Sequence, residues 1–264
     1  MRKNTLLFTT AALLWSTPVM AAHPLITDDT GTQGPGHFQI ELNGGYASDT
    51  RTAAGIPKKT TGVSTGTTLT FGISETVDLI AGLPWQWSRV ESDGTSVAAD
   101  QGIGDLSIQI KWRVLENQEK NLSLAIRPGL SVPTGDPAKG FGTGRVSGGM
   151  MMIATSRNAV GALHANAGYL HNEYGLESLR DSSRCNLWHA SLAGELNMAP
   201  GLRSVANIGI DTNQERSGST NPAFLIGGLI WSPERDVDLD IGIRKGLNDD
   251  TRSTNMLAGM TARF

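Results

Sequence analysis

From residue 38 onward the chain alternates apolar and polar residues in stretches of roughly ten, the length a membrane-crossing strand needs. The clearest stretch sets Leu106, Ile108, Ile110, Trp112 and Val114 against Asp105, Ser107, Gln109, Lys111 and Arg113. A period of two sends successive side chains to opposite faces, so each stretch predicts a strand with one dry and one wet face. After the first two dozen residues no apolar run approaches the roughly 20 residues of a spanning helix. If such a chain crosses a membrane, it must do so with strands.

The alternation recurs along the chain. Phe38, Ile40, Leu42 and Tyr46 oppose Gln39, Glu41 and Asn43, and Leu69, Phe71 and Ile73 oppose Thr68 and Thr70. Leu79, Leu83, Trp85 and Trp87 are interleaved with Asp78 and Gln86, and Leu124, Ile126 and Leu130 with Ser123, Arg127 and Ser131. Further on, His164 and Asn166, then His189, Ser191 and Glu195, then Arg203, Asn207 and Asp211 take the polar face. Asp238, Asp240 and Arg244, and finally Thr261 and Arg263, do the same. Residues 146–155 and 222–231 are apolar on both faces, so their register stays open. Twelve candidate strands result.

Short links, as at Ser74 and Glu75 or Pro200 and Gly201, alternate with longer polar loops at 47–60, 89–104, 133–145, 172–184, 212–220 and 247–253. An even strand number with short turns on one rim and long loops on the other predicts an all-β, antiparallel up-and-down transmembrane barrel over 37–264. Its turns would be periplasmic and its loops extracellular, and closure removes the exposed strand edges. With that order, Phe38, Phe71, Trp112, Trp231 and Phe264 form one aromatic girdle, and Tyr46, Trp85, Trp87, Tyr169 and Trp188 the other. A secreted β-sandwich also alternates, but needs neither paired girdles nor alternating loop lengths.

The leader fits that destination. Arg2 and Lys3 precede an uncharged apolar run, and Val19, Met20 and Ala21 supply a small-residue cleavage site, so 1–21 reads as a cleaved signal peptide. The formal charge of −3 falls to −5 once Arg2 and Lys3 are lost, which argues against a nucleic-acid partner. The lone Cys185 cannot form an intramolecular disulfide. The expected location is the outer membrane of a Gram-negative bacterium. The expected partners are its lipids and lipopolysaccharide, and the barrel-assembly machinery during biogenesis.

Three motifs are distinctive: "PLITDDTGTQGPGHFQIEL" from Pro24, "GIGDLSIQIKWRV" from Gly102 and "SVPTGD" from Ser131. With them the chain resembles the MetA-pathway phenol-degradation family from Pro24 to Phe264. That resemblance implies an outer-membrane transporter associated with aromatic catabolism, whose partner is a small hydrophobic or aromatic solute. It lends no defined binding site.

The candidate functional surface is the inward face. Its acids are Glu41, Asp78, Asp105, Glu195, Asp211, Asp238 and Asp240, its bases Lys111, Arg113, Arg127, Arg203, Arg244 and Arg263, and it adds His164 and His189. These groups either line a wet pore and set selectivity or pair into a network filling a narrow barrel; near-balanced signs favour pairing. The polar segment 22–36 precedes strand one, with an apolar knot of Pro24, Leu25 and Ile26 beside Asp28 and Asp29. The expectation is a periplasmic plug whose two aspartates latch onto lumenal arginines such as Arg263 or Arg127.

Two alternatives stand beside the channel. One is a structural or envelope-related barrel with a plugged lumen. The other is a lipid-modifying enzyme, for which antiparallel pairing would bring His164 close to Ser191. Neither a metal nor a cofactor is expected: the five histidines lack metal spacing, and "GFGTGR" lacks the lysine of a phosphate loop.

Overall fold

The computed structural model describes residues 23–53, 56–248 and 253–264; the expected signal peptide lies outside them. Thirteen strands form one antiparallel sheet among the described residues. They are β1 (Phe38–Ala53), β2 (Ile56–Ser74), β3 (Val77–Ser92), β4 (Thr95–Ile103), β5 (Leu106–Asn117), β6 (Leu122–Val132) and β7 (Ser147–Arg157). The remainder are β8 (Gly161–His171), β9 (Asn186–Ala199), β10 (Leu202–Asp211), β11 (Ala223–Glu234), β12 (Val237–Gly246) and β13 (Thr254–Arg263). A 3-10 turn at Pro137–Lys139 and a short helix α1 (Glu177–Ser182) sit in two of the long loops.

Neighbours in sequence pair in space, and β1 closes the ring against β13, with Gln39 opposite Arg263 and Ser48 opposite Thr254. The barrel has twelve staves, because β4 and β5 share one. The periplasmic half of β3 (Val77 to Gly82) pairs with β5, and its outer half (Trp85 to Ser92) pairs with β4. The break falls at Gly104 and Asp105, where the Gly104 N–H still reaches the Pro84 carbonyl at 2.8 Å.

The structure corrects two expected loops. Residues 47–60 and 89–104 are largely ladder: β1 and β2 pair out to Ala53 and Ile56, and β3 and β4 pair around a turn at Asp93 and Gly94. These segments carry Thr, Ser, Lys and Asp rather than a dry face. Above the hydrocarbon a hairpin needs no apolar face to keep its ladder, so apolar alternation underreports its length.

Alternation becomes a difference in burial. Leu42, Ile108, Leu163, Leu192, Ile241 and Met256 are exposed to the surroundings of the barrel, whereas Glu41, Lys111, His164, Ser191 and Asp240 are buried within it. The two open registers are resolved: Ile153 faces inward and Met150 and Met152 outward, while Phe224, Ile226 and Ile230 face inward and Leu225, Leu229 and Trp231 outward. At the short-turn rim Phe38 stacks on Phe264 (centroids 4.8 Å apart), with Phe71 directly across from Phe38 in the ladder. Trp112 and Trp231 are exposed near the same rim. Towards the other end Tyr169 meets Trp188 at 4.6 Å and Tyr46 is exposed, with Trp85 and Trp87 half-buried on β3.

Candidate functional site: the lumen and its N-terminal strap

Residues 23–36 run into the lumen as a strap. Where they begin to climb, backbone meets backbone: the Gly36 N–H donates to the Gly72 carbonyl (2.9 Å) and the Gly72 N–H to the His37 carbonyl (2.8 Å). Gly34 and Gly36 hold φ of 82° and 80°, a region that favours glycine. A Cβ on Gly72 would lie 1.8 Å from the Gly34 carbonyl oxygen. Gly72→Ala is therefore expected to dislodge the root of the strap while leaving the barrel closed. Faster protease cleavage within 23–36, with unchanged heat-modifiable gel mobility, would report it.

Above that root the strap is bonded side chain by side chain. Thr32 donates to the Glu75 carbonyl (2.8 Å), and the Gln33 N–H donates to both Asp78 carboxylate oxygens (3.1 and 3.2 Å). The Thr30 N–H reaches Thr155 Oγ1 at 3.1 Å, and its hydroxyl bonds Ser123. Asp28 is wholly buried between two bases: Lys111 Nζ donates to Oδ1 at 2.9 Å, and Arg127 pairs with Oδ2. With its amide oriented to suit both neighbours, Asn166 accepts from the Asp28 N–H (2.7 Å) and donates to the Asp28 carbonyl (3.0 Å). Asp29 accepts from the Gly31 N–H at 2.5 Å and lies 3.6 Å from the exposed Arg157.

At its tip, Asn207 Oδ1 accepts from the Ile26 and Thr27 N–H groups (2.8 and 3.2 Å). Leu25 is buried with Ala193, Val205 and Ile230, a burial worth about 1.5–3 kcal/mol. Pro24 lies over Gly228 and Gly242, and His23 bonds Asp240.

Two acid–imidazole–hydroxyl relays end on this strap. Thr27 donates to Ser191 Oγ (2.7 Å), which leaves the Ser191 proton for His189 Nε2 (2.8 Å) and the Nδ1 proton for Asp211 (2.6 Å). In parallel, Thr155 contacts His164 Nδ1 at 3.0 Å, and His164 Nε2 contacts Glu195 at 3.1 Å. The expected approach of His164 to Ser191 is not what forms: His164 lies opposite Ala193, and Ser191 opposite Asn166. Residue order resembles a serine triad, yet Ser191 is buried and its oxygen is taken up by Thr27.

Most other lumenal charges are paired. Arg203 bridges Glu195 (2.7 Å) and Asp238 (3.3 Å), and Arg263 bonds Asp238 (2.8 Å) and Gln39 (3.0 Å) rather than Asp28 or Asp29. Gln39 in turn donates to Glu41 at 2.9 Å. Arg113 donates to the Glu75 carbonyl at 2.8 Å, and Arg244 lies over the Phe224 ring, 4.6 Å from its centroid. Asp105 sits at the β4–β5 break instead of within a strand, and accepts from the Gly135 and Thr143 N–H groups (3.0 and 2.8 Å). It thereby folds the β6–β7 loop inward.

That loop and two others roof the lumen. Phe141 is buried, and the Tyr174 hydroxyl accepts from Gln214 Nε2 (3.1 Å) while donating to the Arg184 carbonyl (3.1 Å). The Arg184 guanidinium clamps the β10–β11 loop through the carbonyls of Asn213 (2.7 Å), Glu215, Arg216 (3.2 Å) and Gly218 (3.0 Å). Between this roof and the strap lies a mostly apolar cavity of about 160 Å³. Ile26 contributes to its floor, Pro84, Met151 and Leu170 to its wall and Phe141 to its roof, with Gln86, Gln109, Arg127 and His189 as polar margins.

Sequence reasoning missed Thr27, Thr30, Thr155 and Asn207 as strap contacts and Phe141, Met151 and Leu170 as cavity lining. Asn207 carries an inward parity that flags it weakly, but nothing local marks Thr155, in a stretch of open register, or a loop residue such as Phe141 for burial.

The MetA-pathway of phenol degradation family matches residues 21–264. No curated protein sequence matches the chain. Among solved structures, an outer membrane channel from Pseudomonas putida F1 aligns with a TM-score of 0.69 at 13% identity, over 89% of this chain and 98% of that one. The NanC porin aligns at 0.57 and 8% identity (84% and 98% covered), and the KdgM porin at 0.51 and 8% (86% and 99%). At such identities the likeness is one of fold alone. With the family matched across nearly the whole chain and a closed twelve-stave barrel beneath it, this protein belongs to the MetA-pathway of phenol degradation family and has the architecture of an outer-membrane channel.

Proposed function

We propose that the barrel conducts small apolar or aromatic molecules across the outer membrane of a Gram-negative bacterium, through a lumen closed at rest by its N-terminal strap and its loops. The observation that carries this reading is the mostly apolar cavity of about 160 Å³ between Ile26 and Phe141. A cavity of roughly 150 Å³ lined by hydrocarbon holds benzene. The charged remainder of the lumen is largely neutralised in pairs, so neither an anion nor a cation finds a one-signed path. The family's association with phenol breakdown agrees with a monocyclic aromatic solute.

The test is initial uptake of radiolabelled toluene by porin-deficient cells producing this chain. A severalfold rise over empty-vector cells is expected, together with low ion conductance of the purified barrel in planar bilayers. Unchanged uptake with a folded barrel would overturn the transport reading in favour of a structural envelope barrel.

A further inference from the structure

We infer that the apolar seat of the strap tip is a second binding station for the same small apolar solute, and that solute and tip compete for it. This rests on the reading that the cavity takes such solutes. Leu25 is buried against Ala193, Val205 and Ile230. The floor beside it is cut away to backbone: a Cβ on Gly228 or Gly242 would come within 2.6 or 2.7 Å of the Pro24 ring. These wall residues offer hydrocarbon and no side-chain polar atom, so what they bind is apolar and small.

Two further facts make the seat exchangeable. Ile26, the next residue, belongs to the cavity floor, so one side chain separates the cavity from the seat. The anchors of the strap also lie beyond the tip: Asp28 with Lys111 and Arg127, and Thr30 with Thr155. Residues 23–26 can therefore leave while the buried ion pairs stay intact, giving up only the His23–Asp240 and Ile26–Asn207 bonds and their apolar contacts.

A solute shifts an equilibrium only by its differential affinity for the two states. At this station it binds the tip-out state alone, because Leu25 fills the site otherwise. Its occupation of the seat thus holds the tip outward and opens the step towards the periplasm, with the strap acting as a built-in competitor.

The mature full chain in nanodiscs, with toluene as the probe, tests this. In a Cys185→Ser background, Leu25→Cys should react with a soluble maleimide at least about fivefold faster in saturating toluene; an unchanged or slower rate overturns the proposal. Independently, Pro24→Gly with Leu25→Ser, which keeps Ile26 and every anchor, should fill a second toluene site at a concentration at least about fivefold lower than the wild type needs, whereas equal second-site affinity in both would overturn the competition. A stoichiometry of one in both overturns the second station. No binding by the wild type but one molecule bound by the variant removes the cavity reading and keeps the station. No binding by either removes both.

Discussion

Asp28→Ala is expected to free the strap, with a cost of several kcal/mol (about 3–5). Asp28 is fully buried and neutralises two cations that are themselves almost wholly buried, Lys111 and Arg127. Removing one partner of a buried ion pair leaves the other charge without compensation, at a cost of about 3–5 kcal/mol. Here two cations lose the anion they share, although Lys111 keeps the Asp29 and Gly31 carbonyls (3.1 and 3.4 Å), and the cheapest relief is water entering the lumen as residues 23–36 withdraw. Single-channel recording should then show a clear rise in conductance or open time, and the strap should become protease-sensitive. A triple variant, Asp28→Leu with Lys111→Met and Arg127→Met, replaces the charges with hydrocarbon and should restore the closed state in large part. Currents unchanged in Asp28→Ala, with the barrel folded, would show that the strap is held by its neutral contacts. Moderate salt should not reproduce the effect, because it screens the exposed Asp29–Arg157 contact but not a buried pair.

Ile108→Arg should block or strongly destabilise assembly, whereas Gln109→Arg should fold. Ile108 projects from β5 into the surroundings of the barrel, four residues from Trp112, and Gln109 borders the lumenal cavity. A guanidinium in the hydrocarbon midplane costs about 2–4 kcal/mol, while the lumen accepts polar substituents. Loss of the heat-modifiable gel shift for Ile108→Arg alone is the expected result. Equal behaviour of both variants would contradict the register that pairs Ile108 with Ala81 and Leu130.

Both predictions turn on a division visible in the residues themselves. Alternation in sequence suffices for which side chains face lipid and which face the lumen, because the strand period is two and a charged residue cannot face hydrocarbon. Glu41, Lys111, Arg127, His164 and Asp240 read as inward on that basis alone and are buried inside the barrel, and the family likeness rests on motifs equally local. The same rule fell silent where both faces are apolar, at Met150 to Ile153 and Phe224 to Ile230, and where neither is, above the membrane in β1 to β4.

Partnership was a tertiary matter. That Asp28 meets Lys111 and Arg127 rather than Arg263, and that Leu25 settles among Ala193, Val205 and Ile230, depend on how the ring closes and how far the strap climbs. Those contacts join residues more than a hundred positions apart in several cases, across a lumen whose width follows from strand number and tilt. Period fixes the face of each side chain locally; only closure of the barrel brings opposing faces within reach of one another.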